Sequence, residues 1–466
     1  MKGKLLLTAL LTASFMLSNA QEPSLFGKQF DLEKIQESQG IIRCASYEYE
    51  QYQRQLNTQL GTTDQFEAWL APKADAYKLA LSNPSMLMNE DIITIPVVVH
   101  ILHNNKAYGV DENITDEQVL AQIQVLNEDF RRQAGTPGHN TTAVGADVRV
   151  EFCLAQRTPD GQATNGINRI NQAPPTGGYG IDLLDGSNID DIKPATQWNP
   201  DQYFNVWVVE EMIFSFFGIQ LGEILGIAQF PVASTLDGLE EDGLPVAADT
   251  DGVVVGHKHF GSQDLYPAGT YAAGRVVTGR TLTHEIGHCL GLRHIWGDTD
   301  DCATDDYCAD TPNATDQLTE CIYRASCGEE EMKENYMNYT PEDCQNIFTL
   351  DQKARIRTVL TNSPRRVSLA TSLACLPPSA SVDQTLLLED IKLYPNPTRD
   401  ILNITTINAD LPESYSIYNT IGQVIKTAVI TTENDLSIDT SSYTNGVYLI
   451  KINKDGKSKT LRFIKQ

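Results

Sequence analysis

An eleven-residue stretch, "HEIGHCLGLRH" from His284 to His294, constrains this chain more than any other feature. The chain holds only eight histidines, and three of them fall here beside one glutamate. His284 and His288 are four apart, so on an α-helix they project from one face, one turn apart. Glu285 lies one residue along, within reach of a water on a metal bound by the pair. Leu282, Ile286 and Cys289 lie on other faces and can pack the helix into a domain. Gly291 can take a left-handed conformation and end the helix, after which the chain turns and brings in His294 from outside it. Three neutral imidazoles leave a fourth coordination position open, as a catalytic zinc site needs. The competing explanation, a histidine-rich solvated helix, has to place five specified residues in order by chance.

The rest of the chain sets the context for that site. Its 466 residues allow two or three domains and a sizeable core. With 35 basic against 61 acidic residues the net charge is −26, which excludes nucleic acid or an anionic membrane as the main partner. Residues 1–20 read as a secretory signal: Lys2 and Lys4, then an apolar run from Leu5 to Leu17 too short to span a bilayer, then the small residues Ser18-Asn19-Ala20. No other stretch is long and apolar enough for a transmembrane helix, so the expected location is secreted or cell surface, with export through the periplasm. Export makes the nine cysteines candidates for disulfides, and the odd number leaves at least one thiol unpaired in a monomer. Cys153 sits in a strand pattern and is expected in the core.

Composition and periodicity divide the chain further. Residues 21–90 are charged and Gln-rich with helical stretches, the layout of a propeptide. "IITIPVVVHILH" is a buried strand that opens a domain at residue 91. Val119, Ile123, Leu126 and Phe130 have helical spacing, and "DVRVEFCLAQ", "FNVWVV", "EILGIAQFP" and "DGVVVGHKHFG" read as further strands. The expected fold class is α+β: a mixed sheet with an active-site helix over 91–365, a linker over 366–388, and a small all-β sandwich over 389–466. In that last segment, strands alternate with turn signals such as Asn-Gly and Asp-Gly.

The eleven-residue pattern is the metzincin signature, and "NYMNY" supplies Met337 for the methionine turn that such enzymes place beneath the metal. With "VEFCLAQRTPDGQATNGINRI", "LGIAQFP", "DDYCADTPN" and "NYMNYTPEDCQNIFT", residues of roughly 90–365 resemble the pappalysins, secreted metzincin endopeptidases. The resemblance implies zinc held by His284, His288 and His294, with Glu285 as the general base that takes a proton from water and passes it to the leaving amine. It makes Tyr339 the candidate oxyanion donor, the alternative being an aromatic packed beside the metal. Substrate is expected to lie extended along an edge strand at Leu225 to Gln229.

The same resemblance carries further positions. It implies disulfides Cys302–Cys327 and Cys321–Cys344. Cys289 and Cys308 depart from the common pattern; either they form a third bridge, the preferred expectation, or Cys289 is a small buried hydrophobe. The acidic loop "DTDDCATDDYCADTP" corresponds to a calcium site, with Asp306 and Thr311 at matching positions; without the resemblance it would be read as an exposed acidic loop. "RCAS" resembles a cysteine-switch segment, in which Cys44 binds zinc in the latent form and excludes water. Relatives that prefer Arg or Lys just after the cut carry an acid in the pocket, for which this chain offers Glu342 and Asp343. The Pro-Glu-Asp order departs from the more frequent Asp-Asp.

"LYPNPTRDILNI", "YNTIGQVI" and "NGVYLIKI" resemble the sorting domain of type IX secretion, an export address read by the secretion machinery. The chain thus reads as a latent, exported zinc endopeptidase acting on proteins or peptides. The rival readings are a surface adhesin on a vestigial protease fold and, for the tail alone, a carbohydrate-binding module. Intact Glu285 and all three histidines count against the first, and the lack of an aromatic platform counts against the second.

Overall fold

A computed structural model describes residues 24–25, 28–29, 38, 40–57, 60–81, 90–174, 181–182, 186–216, 219–233, 248–274, 276–299, 301–378, 391–405, 411–419, 423–454 and 457–466. The expected signal at 1–20 lies outside the described residues. The chain forms two units, divided after Pro377.

After a short antiparallel strand pair at Ser24–Leu25 and Lys28–Gln29, the first unit continues with β1 (Ile41–Cys44), α1 (Ser46–Leu56) and α2 (Thr63–Leu81). The main sheet follows with β2 (Ile93–His103), crossed by α3 (Asp116–Phe130), then β3 (Val150–Leu154), β4 (Ile167–Asn171), β5 (Phe204–Val209), β6 (Met212–Phe216), β7 (Ile219–Ala228) and β8 (Val253–Gly256). The helices α4 (Arg280–Cys289), α5 (Leu350–Asn362) and α6 (Arg366–Ala370) complete the unit. The sheet is mixed: β3, β4 and β5 run parallel to β2, β8 runs parallel to β5, and β7 is antiparallel to β8 and β6.

The continuous apolar run of β2 is explained by burial on both faces. Ile95, Val97, Val99 and Ile101 enter the main core, while Val98 and Leu102 enter clusters on the other side. Each such side chain contributes about 1.5–3 kcal/mol when fully buried. The helical spacing in α3 brings Val119, Ile123, Leu126 and Phe130 into the same main core as Leu282 and Ile286 of α4. The sheet therefore serves as the platform on which the histidine helix is laid.

Residues 366–377, expected as the start of the linker, belong instead to the first unit. Arg365 and Arg366 pair with the buried carboxylate of Asp251, and Arg366 Nε donates to Cys289 O at 2.8 Å. The two guanidinium groups hold the Asp251 carboxyl well below the usual carboxylate range, although burial pushes it upward. Cys153 is likewise not a simple core residue, because it is disulfide-bonded to Cys375. Val150 and Phe152 face the core, so the period-two alternation of a strand turns Cys153 to the opposite side. Ala374, next to Cys375, accepts a backbone hydrogen bond from Gln156. Of the expected linker, residues 379–388 lie outside the described residues.

Among the described residues, the second unit has seven strands in two antiparallel sheets, one of three strands over 392–439 and one of four over 414–465. Leu402, Ile404, Ile417, Ile438, Ile450, Ile452 and Phe463 form its core. This is the expected β-sandwich.

Candidate active site

The histidine helix α4 has no side-chain cap of its own. Gly279 precedes it with φ +88°, a left-handed conformation that favours glycine. The Glu342 carboxylate takes the place of a cap: it accepts from Thr281 N at 2.9 Å, Thr281 Oγ1 at 2.6 Å and Thr278 N at 2.7 Å. A negative charge there also complements the positive end of the helix. From α3, Asp129 accepts from Thr283 Oγ1 at 2.8 Å, Arg280 Nη2 at 3.1 Å and Tyr336 Oη at 2.8 Å, which fixes the helix on the sheet side. At the other end, Leu292 N donates to Gly287 O at 2.9 Å, and the reversal places His294 opposite the helix. Met337 lies beneath, so close that a Cβ on Gly287 would come within 2.5 Å of its sulfur.

The Nε2 atoms of His284, His288 and His294 lie 3.1–3.2 Å from one another. Their Nδ1 atoms face Tyr336 O, Leu292 O and Asp298 Oδ1 respectively. Acceptors at Nδ1 place the ring proton there and leave Nε2 bare. Burial, together with the neighbouring rings, holds His284 and His288 far below the ordinary histidine range, so both stay neutral. Three bare imidazole nitrogens this close repel one another unless a cation lies between them. Ligands on a tetrahedral zinc stand roughly 3.3 Å apart for bonds of about 2.0–2.1 Å. The residues therefore fit a zinc ion.

Cys44 completes the set. Its Sγ and the three histidine nitrogens all lie within 4.8 Å of one another, and all four residues are buried. It arrives on β1, which runs parallel to β7 and pairs with Glu223, Ile224 and Gly226, on the edge of β7 opposite β6 and β8. The expected substrate edge at Leu225–Gln229 thus overlaps the edge that the N-terminal segment covers. Glu285 is fully buried, and burial pushes its carboxyl up to about 8 against hydrogen bonds from Ser46 and Cys44. Ser46 Oγ lies 2.6 Å and Cys44 Sγ 3.4 Å from Glu285 Oε2. Tyr339 Oη donates to Cys44 O at 3.1 Å, and its ring centroid lies 4.9 Å from that of His294.

A small cleft beside the histidines is lined by Arg43, Arg280, Thr281, His284, Glu285, Asn338, Tyr339 and Gln345. Arg43 Nη1 donates to Tyr339 O at 2.9 Å and Thr340 O at 2.7 Å. Glu342 is buried near this guanidinium. Burial pushes its carboxyl up, but the charge of Arg43 and the bonds from Thr281 and Thr278 hold it below the usual range. Glu342 and Asp343 were both expected in the pocket, but neither lines the cleft, and Asp343 is exposed. The short turn at Glu342–Cys344 sends adjacent side chains in different directions, so only Glu342 reaches α4.

Residues 265–361 match the family described as pregnancy-associated plasma protein-A, and residues 392–466 match the secretion system C-terminal sorting domain. A solved Tannerella forsythia promirolysin mutant is 32% identical, with 70% of this chain and 96% of that chain covered and a TM-score of 0.51. The chain belongs to the pappalysin family. An extracellular metalloprotease of Arthroderma otae is 26% identical over 57% of this chain and 76% of its own length. Mature mirolysin of T. forsythia with a cleaved peptide is 33% identical, covering 60% of this chain and 97% of that one, with a TM-score of 0.48. This pappalysin is a secreted or cell-surface metalloprotease with a type IX sorting domain. No helix among the described residues is long and apolar enough to cross a membrane.

Cys302–Cys327 and Cys321–Cys344 are bonded, whereas Cys289 and Cys308 are free and buried. The expected third bridge is therefore absent. Cys289 packs inside α4 with its sulfur toward Gly252 O, and Cys308 lies in the loop beside Asp306. Burial pushes the Cys289 thiol up to about 12, so it behaves as a small hydrophobe. In the acidic loop, Asp306 Oδ1 accepts from Thr311 Oγ1 at 2.6 Å and Cys308 N at 3.1 Å, while its buried Oδ2 has no hydrogen-bond partner among the described residues. The sequence reading missed Ser46, Arg43 and Asp298. Ser46 and Arg43 flank Cys44 and could have been flagged by that adjacency. Asp298 lies four residues past His294 but follows a glycine turn, where spacing predicts no contact.

Proposed function

We propose that this pappalysin is a zinc endopeptidase made as a latent precursor, cutting on the N-terminal side of Arg or Lys. The observation that carries the reading is the meeting of Cys44 with His284, His288, His294 and Glu285. A zinc ion held by the three histidines would supply Lewis-acid polarisation of the scissile carbonyl and ready deprotonation of water. Glu285 accepts the proton from the attacking water and delivers it to the leaving amine. Its Oε1 is buried with no hydrogen-bond partner among the described residues, and its Oε2 is held by Ser46 and Cys44. The Tyr339 hydroxyl donates to the developing oxyanion. In the precursor that hydroxyl is taken by the Cys44 carbonyl, in the manner of a substrate carbonyl.

Arg43 supports the specificity. Its guanidinium lies in the cleft beside Glu285, held by two carbonyls and the field of Glu342. A substrate Arg or Lys after the cut meets the same groups. Because Arg43 precedes Cys44, the N-terminal segment runs through the cleft in the direction opposite to such a substrate. Digestion of a peptide library by self-processed protein, with cuts read by mass spectrometry, is expected to give Arg or Lys immediately after most scissile bonds. Cuts without a basic residue in that position would overturn the assignment.

We further propose calcium at the Asp306 loop. Burial pushes the Asp306 carboxyl up to about 7, an unfavourable state for a carboxylate that a hard cation would relieve. Asp310 Oδ1 is also buried with no hydrogen-bond partner among the described residues, and Thr311 holds Asp306 in place. Millimolar calcium added to calcium-stripped, zinc-loaded protein is expected to raise Tm by at least about 2 °C. An unchanged Tm would leave the loop an acidic surface.

A further inference from the structure

The latent segment makes a second charged contact further along its chain, past Cys44 from the Arg43 cleft. From Ser46, which bonds Glu285, α1 leads to Glu50, and α2 carries Glu67 to the same place. Arg293 Nε donates to Glu67 Oε1 at 2.8 Å, and its Nη1 donates to Glu50 Oε2 at 3.0 Å. Arg355 Nη1 and Nη2 donate to the two oxygens of Glu67 at 2.7 and 2.9 Å. All four side chains are buried. Arg293 adjoins the metal-binding His294, and its guanidinium stacks over Phe230 at 4.7 Å. Phe66, Trp69 and Leu70 of α2 cover Ala233 and Val359 beside it.

This pairing has a consequence for the processed enzyme. Release of the N-terminal segment removes both carboxylates and leaves two arginines on the catalytic unit beside an apolar floor. The guanidinium groups are held in place by groups that remain. Arg355 Nη2 still donates to Gly291 O at 2.9 Å, and Arg293 still rests on Phe230. They form a preorganised fork for carboxylates, the geometry that arginine binds best.

We propose that Arg293 and Arg355 form a recognition site in the mature enzyme for acidic residues of the substrate upstream of the scissile bond. The proposal rests on the reading that the Arg43 cleft takes the residue after the cut, since this places Arg293 on the side that precedes it. Cys44 to Glu50 spans on the order of 12 Å: one short extended step followed by about one helical turn. An extended substrate covers that distance in about four residues. The expected ligand is therefore a Glu or Asp about three to six positions before the cut, with an apolar neighbour for the surface that α2 vacates.

The test uses self-processed enzyme and fluorogenic peptides that share one cleavable bond before Arg. One series carries Glu, another Gln and a third Lys at positions three to six before the bond. Glu peptides are expected to exceed Gln peptides in kcat/KM by about tenfold at low salt, with Lys peptides slowest. Half-molar salt should compress the ratio. In Arg355→Gln enzyme the Glu-to-Gln ratio should fall to near one, and Arg355→Lys should restore part of it. Equal cleavage of all three series by the unaltered enzyme would overturn the site while leaving the endopeptidase reading standing. Fluorescence anisotropy of the same labelled peptides separates the two in the other direction. Charge-dependent binding without cleavage would support the site and count against the catalytic reading.

Discussion

Alanine in place of Glu285 is expected to lower kcat/KM of the processed enzyme by ~10²–10⁴-fold while zinc remains bound. The three histidine Nε2 atoms draw their orientation from Tyr336 O, Leu292 O and Asp298, none of which involves Glu285. Metal analysis should therefore give one zinc per chain in the variant. The helix should also persist, since its N-terminus is held by Glu342 and Asp129. Gly226 approaches so closely that a Cβ there would come within 2.5 Å of the Glu285 side chain, so truncation opens a small buried void and little else. Because the variant is not expected to process itself, the mature form is produced with a second protease. Turnover within tenfold of the unaltered enzyme, at full zinc occupancy, would remove Glu285 from the role of general base.

The second large effect is loss of latency on replacing Cys44 by alanine. The Cys44 thiol is buried, and burial together with the nearby Glu285 charge pushes it well above the ordinary thiol range. A zinc ion reverses that preference, because a coordinating thiol is deprotonated outright. In the Glu285→Ala precursor, which is expected to stay intact, zinc K-edge spectroscopy should then show one sulfur neighbour at about 2.3 Å. That neighbour should vanish in the Glu285→Ala, Cys44→Ala precursor. With Glu285 present, Cys44→Ala should process itself at least about tenfold faster, each factor of ten corresponding to about 1.4 kcal/mol. The rest of the segment should stay docked until it is cut, since Arg43, Glu50 and Glu67 keep their partners. A spectrum with only nitrogen and oxygen neighbours would assign latency to the covering segment rather than to the thiolate.

The two replacements separate what was legible in the sequence from what was not. Glu285 was legible because its relation to the histidines is local: positions 284, 285 and 288 share one helix, whose geometry is fixed by backbone hydrogen bonding. Cys44 lay 240 residues upstream of His284, and only the resemblance of its short segment pointed to the metal. The Cys153–Cys375 bridge and the free state of Cys289 and Cys308 could not be read from spacing, because a disulfide depends on which side chains the finished fold brings face to face.

Glu342 illustrates the same divide. Its position after the methionine turn suggested a pocket acid, yet its oxygens are engaged by Thr278 and Thr281 at the start of α4. Asp343, chemically its equal, faces solvent. By itself the sequence determined the elements whose causes are local or periodic: the buried strand at Ile93–His103, the helix at Asp116–Phe130, the histidine helix with its glycine stop, and the alternating strands of the tail. Only the tertiary structure decided how the N-terminal segment lies in the cleft, with Arg43, Cys44 and Glu50 each meeting a partner more than 200 residues away in sequence. Those pairings depend on packing and charge across distant parts of the chain, and hydrogen-bond periodicity along a helix or strand carries no information about them.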